Sequence, residues 1–322
     1  VELIKQGYEP IVVDNLSNSK IEMLEQIFKI TGKRVKFYQI DLLEKNELEK
    51  VFLENENIED VIHFAGSKAV GESCVKPLMY YENNIMSTIN LLNIMIKHKV
   101  KNIIFSSSAT VYGTPKRVPI FEEDPIGGTT NPYGTTKLII EGILQDVYKV
   151  HPEMNIAILR YFNPIGANET GLIGEAPNGI PNNLMPYITQ VAVGQRECLS
   201  VFGNDYDTPD GTGVRDYIHV VDLALGHIAS IKKLHENSGL VVYNLGTGKG
   251  TSVLDLVFAF EKANNVKVNY KIVDRRQGDI ATCYADCSKA KKELSWTAKR
   301  DIVDACRDSW KWQQYYTKNN TK

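Results

Sequence analysis

The sequence predicts an α/β fold, a doubly wound parallel (Rossmann) sheet joined to a smaller mixed α/β unit, on three grounds. Short apolar runs bounded by turn residues alternate with segments of helical period. The runs are continuous rather than alternating, as in strands buried on both faces. The composition, 43% hydrophobic and 24% charged over 322 residues, is that of a globular chain long enough for one large domain or two unequal ones.

In chain order, residues 1–6 read as the end of a helix capped by Gly7, and PIVVD as a strand over 11–13. RVKFYQID, DVIHFAG, KNIIFSSSA and NIAILRYFN supply further strands, separated by amphipathic stretches at 21–30, 47–54, 80–98 and 138–150. After Asn163 the texture changes to PIGANETGLIGEAPNGIPNNL, with Pro164, Pro177, Pro181 and several glycines, before a helix over 185–193. The domain boundary is therefore set between 163 and 164, and ligands are expected beyond the carboxyl ends of the strands, under the second unit. YNLGTGKGTSVLDLVFAF, 243–260, is a strand, a Gly-rich turn and a helix that imitates a dinucleotide site. Gly246, Gly248 and Gly250 do not complete the Gly-x-Gly-x-x-Gly spacing, and the stretch reads as turn chemistry before a capped helix.

A net charge of −2 without a Lys/Arg-rich run argues against nucleic acid or an anionic membrane as a partner. No apolar run approaches the roughly 18 residues that span a bilayer. Cys74, Cys198, Cys283, Cys287 and Cys306 are odd in number and form no Cys-x-x-Cys pair, which points to a reducing, cytoplasmic setting without a disulfide framework or a zinc ribbon.

Two Tyr-x-x-x-Lys pairs occur, YGTPK (Tyr112, Lys116) and YGTTK (Tyr133, Lys137). Pro115 opposes a helix across the first. Asn131 and Pro132 open one before the second, so only Tyr133 and Lys137 share a helix face. A phenol is a poor base at neutral pH, but a cation one turn away and a positive nicotinamide ring would lower its pKa and let it take a proton from a sugar hydroxyl. A surface tyrosine beside a solvated lysine is the competing reading. Ser108, at a strand exit, is a candidate partner for the reacting hydroxyl, or only a polar strand end. Asp14 closes the strand 11–13, where an acidic residue holds the adenosine ribose about 20 residues after a glycine fingerprint. The chain begins too late to contain that fingerprint.

DNLSNS, VIHFAGSKAVGES, YYENN, FSSSATVYG, NPYGTTK, LRYFNPIGA, GIPNNLMPYI, FGNDY, GTGVRDYIHV and YNLGTG occur in this order. Over its whole length the chain resembles the UDP-glucose (UDP-galactose) 4-epimerases, in the extended branch of the short-chain dehydrogenase/reductase superfamily. The resemblance implies a tightly held NAD that removes hydride from C4 of a UDP-hexose, lets the 4-keto sugar turn, and returns hydride to the other face. Tyr133 would be the acid/base, Lys137 its electrostatic partner and a ribose ligand, and Ser108 the bridge to O4. Asp14, Asn15, Asn18 and Ser19 would hold the adenosine ribose, Asp41 and Leu42 would lie near adenine, and Phe64, Ala65, Gly66, Lys68, Asn83 and Phe162 would line the nicotinamide half. Asn163, Asn183, Leu184, Phe202, Arg215, Arg276 and Asp279 would hold UDP. Residues 1–163 would then bind NAD, and 164–322 the UDP-sugar, with part of the second unit returning to the first.

Cys283 stands where narrow-pocket epimerases carry tyrosine, which implies room for a 2-acetamido group and activity on UDP-GlcNAc and UDP-GalNAc. The family also implies a homodimer through a four-helix bundle, here from 80–98 and 136–150. A nucleotide-sugar 4,6-dehydratase would carry an Asp-Glu pair where this chain has Ala109 and Thr110. An inactive epimerase-like protein would be expected to lose Tyr133 or Lys137. With Val1 in place of an initiator methionine and no glycine fingerprint, the functional protein is expected to be longer by roughly one strand, loop and half helix.

Overall fold

A computed structural model of the chain places four parallel strands side by side in the order Leu240–Leu245, Asn155–Tyr161, Asn102–Ser108, Asp60–His63. It describes every residue except Pro177, Ile180, Asn182, Gln277, Thr321 and Lys322, and for Asn320 the backbone alone. Strands Ile11–Val13 and Lys36–Tyr38 form a separate parallel pair. Among the described residues no ladder joins this pair to the four-stranded sheet, which ends at Asp60–His63.

Side-chain parity along the two central strands divides the core. Ile103, Phe105, Ile156 and Ile158 face one side, where Leu48, Leu91, Met95, Ile140 and Leu144 of helices Lys45–Glu54, Pro77–Lys97 and Pro132–Val150 pack on them. Ile104, Ala157 and Leu159 face the other, against Ile231 and Leu234 of helix Val220–Leu234 and against Trp296. All seven strand residues are at most 1% exposed, which explains why their runs show no alternation. Each large side chain buried in this way contributes roughly 1.5–3 kcal/mol.

Beyond Asn163 the chain builds three small sheets: Asn163–Ile165 with Tyr217–His219, Leu199–Phe202 with Tyr270–Val273, and Val214–Arg215 between Thr251–Ser252 and Thr282–Cys283. Helices Leu184–Ala192, Val253–Asn264 and Ile302–Asn320 close over a second core that includes Met185, Leu199, Phe260 and Cys306. Strand Leu240–Leu245 returns to the large sheet.

Helix Pro132–Val150 begins where its capping signal lies: the Asn131 Oδ1 accepts the Gly134 N–H at 2.9 Å, and Pro132 fills the first turn. Helix Pro77–Lys97 starts ahead of the apolar period at 80, again with a proline in its first turn. No helix among the described residues is long and apolar enough to cross a membrane.

Candidate active site

Strand Asn102–Ser108 ends in three serines and runs into a tight turn, Ala109–Tyr112. The Thr110 N–H donates to Ser108 Oγ at 3.2 Å, which caps the turn and fixes the Ser108 hydroxyl at the sheet's carboxyl edge. Gly134 permits the next contact. A Cβ there would lie 3.2 Å from both Cβ and Oγ1 of Thr110, so glycine lets the start of helix Pro132–Val150 approach this closely without Thr110 giving way. The Tyr133 phenol is thereby brought within hydrogen-bonding reach of Ser108.

Lys137 follows one turn later. Its side chain is 5% exposed, its Nζ donates to the Ser106 carbonyl at 2.6 Å, and the ammonium lies 4.9 Å from the Phe105 ring centre and 5.8 Å from that of Tyr133. Burial pulls the ammonium pKa down to about 8, and Glu141 acts against it. The lowering expected of the Tyr133 phenol from a cation and a nicotinamide ring together has to work against its burial. Burial pushes it above its ordinary value, the hydrogen bond to Ser108 acts in the opposite sense, and the ammonium is directed at a backbone carbonyl.

On the side read as the cofactor's, Asp14 ends strand Ile11–Val13. Its Oδ1 accepts the Leu16 N–H at 2.6 Å and the Ser19 hydroxyl at 2.7 Å, and its Oδ2 has no partner among the described residues. Asn15 donates to Asp41 Oδ2 at 2.8 Å, tying the exits of the paired strands. Asn18 Oδ1 accepts the Asn178 N–H at 3.0 Å. Leu42 turns its side chain into the core, and its carbonyl accepts from Asn90 at 3.0 Å. Phe64, Ala65, Gly66 and Lys68 lie exposed beyond strand Asp60–His63. Gly66 has a φ of 152°, and a Cβ on it would lie 3.1 Å from Asn84 Oδ1. Asn83 reaches Ser67 Oγ at 3.2 Å.

On the side read as the nucleotide-sugar's, Arg215 and Cys283 are register partners in adjacent strands. Arg276 pairs with Asp279 at 3.0 Å and lies 4.8 Å from the Phe202 ring centre. Both arginines act on the buried Tyr217 phenol, so their charges converge; burial nevertheless pushes that phenol up to about 12. Cys283 packs in one cluster with Phe162, Val111 and Tyr112, which places it beside the Ser108 exit. Asn163, exposed, starts the strand paired with Tyr217–His219. Leu184 opens helix Leu184–Ala192, and Asn183 just before it donates to Glu175 Oε1 at 2.7 Å. The same oxygen lies 3.5 Å from Lys68 Nζ, linking one residue from each group.

The Gly-rich turn at 246–250 already holds an anion of the chain's own. The carboxylate of Asp216, fully buried, accepts the Thr247 N–H at 2.7 Å, the Thr247 hydroxyl at 2.6 Å, the Gly248 N–H at 3.0 Å and the Ala285 N–H at 3.2 Å. A Cβ on Gly246 would lie 2.5 Å from the same carboxylate, so the turn wraps Asp216 and leaves no phosphate cradle.

Sequence reasoning missed four residues. Asn84, the neighbour of the expected Asn83, accepts the Ser67 N–H at 2.7 Å and donates to Thr136 at 3.0 Å, pinning the loop after strand Asp60–His63 to the acid–base helix. Glu175, in the turn-rich stretch, carried no signal. Glu141 and Arg160 form a buried pair at 2.7 Å behind Lys137. The spacing of Glu141, four residues after Lys137, was the available clue to it.

A parallel sheet with a serine at its strand exit and a tyrosine and lysine one helical turn apart beside it is the arrangement of a short-chain dehydrogenase/reductase. The family model described as GDP-mannose 4,6 dehydratase matches residues 1–309. The chain is 59% identical over 322 residues to the UDP-glucose 4-epimerase of Haemophilus influenzae, covering 100% of this chain and 94% of that one. It is 54% identical over 320 residues to that of Homo sapiens, covering 98% and 92%. The crystal structure of the Bifidobacterium longum UDP-glucose 4-epimerase in complex with NAD+ and UDP superposes with a TM-score of 0.94 at 57% identity, covering 98% of this chain and 93% of that one. The chain belongs to this family, that of the UDP-glucose 4-epimerases within the broader group described as GDP-mannose 4,6 dehydratase.

Proposed function

We propose that this chain interconverts UDP-glucose and UDP-galactose with NAD as cofactor, and the observation that carries the reading is the convergence of Ser108, Tyr133 and Lys137 at one strand exit. The donor set fits NAD: Asp14 keeps one carboxylate oxygen for a ribose diol, and Gly66, without a side chain, lets the loop after strand Asp60–His63 lie close against Asn84 with Phe64, Ala65 and Lys68 exposed. Asp14, Asn15, Asn18, Ser19 and Asp41 would hold the adenosine side, and Phe64, Ala65, Gly66, Lys68, Asn83 and Phe162 the nicotinamide side. When bound, NAD supplies a hydride acceptor and donor for C4 of the hexose.

Tyr133 takes the proton from O4 as C4 is oxidised and returns it on reduction, with Ser108 hydrogen-bonded between them. Burial holds Tyr133 protonated at rest, so it needs positive charge nearby to act as a base, and Lys137 is the cation the chain provides. Arg215 and Arg276 would hold the diphosphate, with Asn163, Asn183, Leu184, Phe202 and Asp279 around the rest of UDP. Residues 1–163 would form the NAD side and 164–322 the UDP-sugar side. Ala109 and Thr110 provide no carboxylates for elimination, which favours epimerisation over dehydration.

Purified protein should convert UDP-galactose to UDP-glucose, and Tyr133→Phe should lower kcat by about 10²–10⁴ with NAD retained. Appearance of a 4-keto-6-deoxy sugar instead would support the dehydratase. We further infer that the pocket accepts UDP-GlcNAc and UDP-GalNAc, because the small, buried Cys283 stands beside Phe162 and Tyr112. Cys283→Tyr should abolish acetamido-sugar turnover and spare UDP-galactose; a wild-type protein inert toward UDP-GalNAc would end that extension. A cytoplasmic homodimer built from helices Pro77–Lys97 and Pro132–Val150 completes the proposal.

A further inference from the structure

Helix Pro132–Val150 carries three polar side chains on one face, Tyr133, Lys137 and Glu141, at i, i+4 and i+8. The three successive serines of the adjoining strand meet them one for one. Ser108 bonds Tyr133, the Ser106 carbonyl accepts Lys137 Nζ at 2.6 Å, and the Ser107 hydroxyl donates to Glu141 Oε1 at 2.5 Å. Arg160, the register partner of Ser107 on the next strand, points to the same side. It donates through Nε to Glu141 Oε1 at 3.1 Å and through Nη2 to Oε2 at 2.7 Å.

We propose that Glu141, held by Ser107 and Arg160, is a positioning residue that keeps Lys137 charged and aimed at the acid–base site. The proposal rests on the acid–base reading of Tyr133 and Lys137.

Glu141 is fully buried and Arg160 is 3% exposed, so this ion pair lies in the core, where a pair is weak evidence of stability and breaking it leaves one charge uncompensated. Arg160 extends the connection: its Nη1 donates to the Tyr112 hydroxyl at 2.9 Å, and Tyr112 donates to Asn244 at 2.7 Å. Tyr112 belongs to the cluster that contains Cys283 and Phe162. One rigid network therefore spans the helix bearing Tyr133 and Lys137 and the wall read as the sugar's.

The charge arithmetic gives Glu141 its effect on Lys137. The groups facing Lys137 are Tyr133 and Glu141 on its own helix and the neutral, buried His63 on strand Asp60–His63, with Arg160 on strand Asn155–Tyr161 paired to Glu141. From helix Pro77–Lys97, Tyr80 faces Tyr133, and its hydroxyl is held by Glu72 at 3.1 Å. Almost no water reaches Lys137, and the Glu141 carboxylate one turn away favours its protonated form against that burial. Removing the carboxylate would take away the negative charge that favours the Lys137 ammonium and leave the Arg160 guanidinium unpaired.

The test is the alkaline limb of the kcat–pH profile of UDP-galactose epimerisation by the NAD-loaded enzyme. Glu141→Gln should move the limb to lower pH by about one unit, with KM little changed, because Lys137 then loses its proton more easily. Arg160→Gln should move it the other way, and the double variant should return it toward the wild-type position. Arg160→Gln reads the same coupling if Glu141→Gln does not fold. A limb that stays in place in the single variants overturns the proposal. Lys137→Met separates the two levels: a limb that persists there defeats the acid–base reading itself, whereas a limb lost there but unmoved in the Glu141 and Arg160 variants defeats only the role of Glu141.

Discussion

The ammonium of Lys137 lies 5.8 Å from the centre of the Tyr133 ring and gives its 2.6 Å hydrogen bond to the Ser106 carbonyl. Any pull it exerts on the phenol is therefore through space, as a charge and not as a hydrogen-bond donor, and lasts only while it is protonated. Burial sets its pKa at about 8. The cation is complete below that pH and is lost as pH rises through it, so kcat should fall on an alkaline limb centred near pH 8. An initial-rate profile that stays flat to about pH 10, the ordinary range of lysine, would contradict this.

The Gly-rich turn at 246–250 should be a stability element with no part in nucleotide binding. Asp216→Ala leaves two N–H groups of the turn, a hydroxyl and the Ala285 N–H without their acceptor. At about 1–3 kcal/mol for each buried orphan that water cannot reach, the loss should be on the order of 3 kcal/mol, seen as a lower urea midpoint. Lys249→Ala, exposed on the same turn, should leave NAD content and the KM for UDP-galactose unchanged. A large rise in that KM would restore the turn as a phosphate site.

What was legible in the sequence followed from strong local signals. The central strands were readable because Ile103 to Phe105 and Ile156 to Leu159 are buried on both faces, which leaves unbroken apolar runs. Tyr133 and Lys137 were readable because Asn131 and Pro132 mark a helix start, so that spacing becomes geometry. At Tyr133 the spacing conveys the charge one turn away but not the burial that opposes it. Glu175 and Asp216 gave no warning: their partners lie far along the chain, at Lys68 and at Thr247 to Ala285. Helix Ile302–Asn320 mixes charged and aromatic residues, and its packing against the second core is set by tertiary contacts.

Acid should destabilise the fold through two buried neutral histidines. His63 donates to Thr88 at 2.9 Å, since the Thr88 hydroxyl itself donates to the Asn84 carbonyl. His227 Nδ1 donates to the Leu223 carbonyl at 2.8 Å, leaving Nε2 to accept the Tyr161 hydroxyl. Burial lowers their pKa values to about 3 and about 4. The unfolded chain binds a proton at each below pH 6.5 and the folded one does not, so stability is full above 6.5 and falls as pH drops toward the folded values. The slope is roughly 1.4 kcal/mol per pH unit for each group, or about 2 kcal/mol each at pH 5. Urea midpoints between pH 7.5 and 5 should show it, and His63→Gln should flatten the dependence by roughly 1.4 kcal/mol per pH unit; an unchanged slope in that variant would count against the assignment.

The proposed dimer makes a prediction on the acid–base helix itself. Helices Pro77–Lys97 and Pro132–Val150 pack together, and each keeps a large apolar side chain in solvent: Met86, 43% exposed, and Ile139, 37% exposed. In a two-fold symmetric four-helix bundle each such residue occurs twice, so a substitution acts on both halves of the interface. A carboxylate placed there without a partner would be desolvated on assembly, at a cost of several kcal/mol per ion. Met86→Asp combined with Ile139→Asp should therefore convert a dimer into a monomer in sedimentation velocity, while circular dichroism stays that of the folded chain. A wild-type protein that sediments as a monomer, or a double variant that stays dimeric, would remove these two helices from the interface.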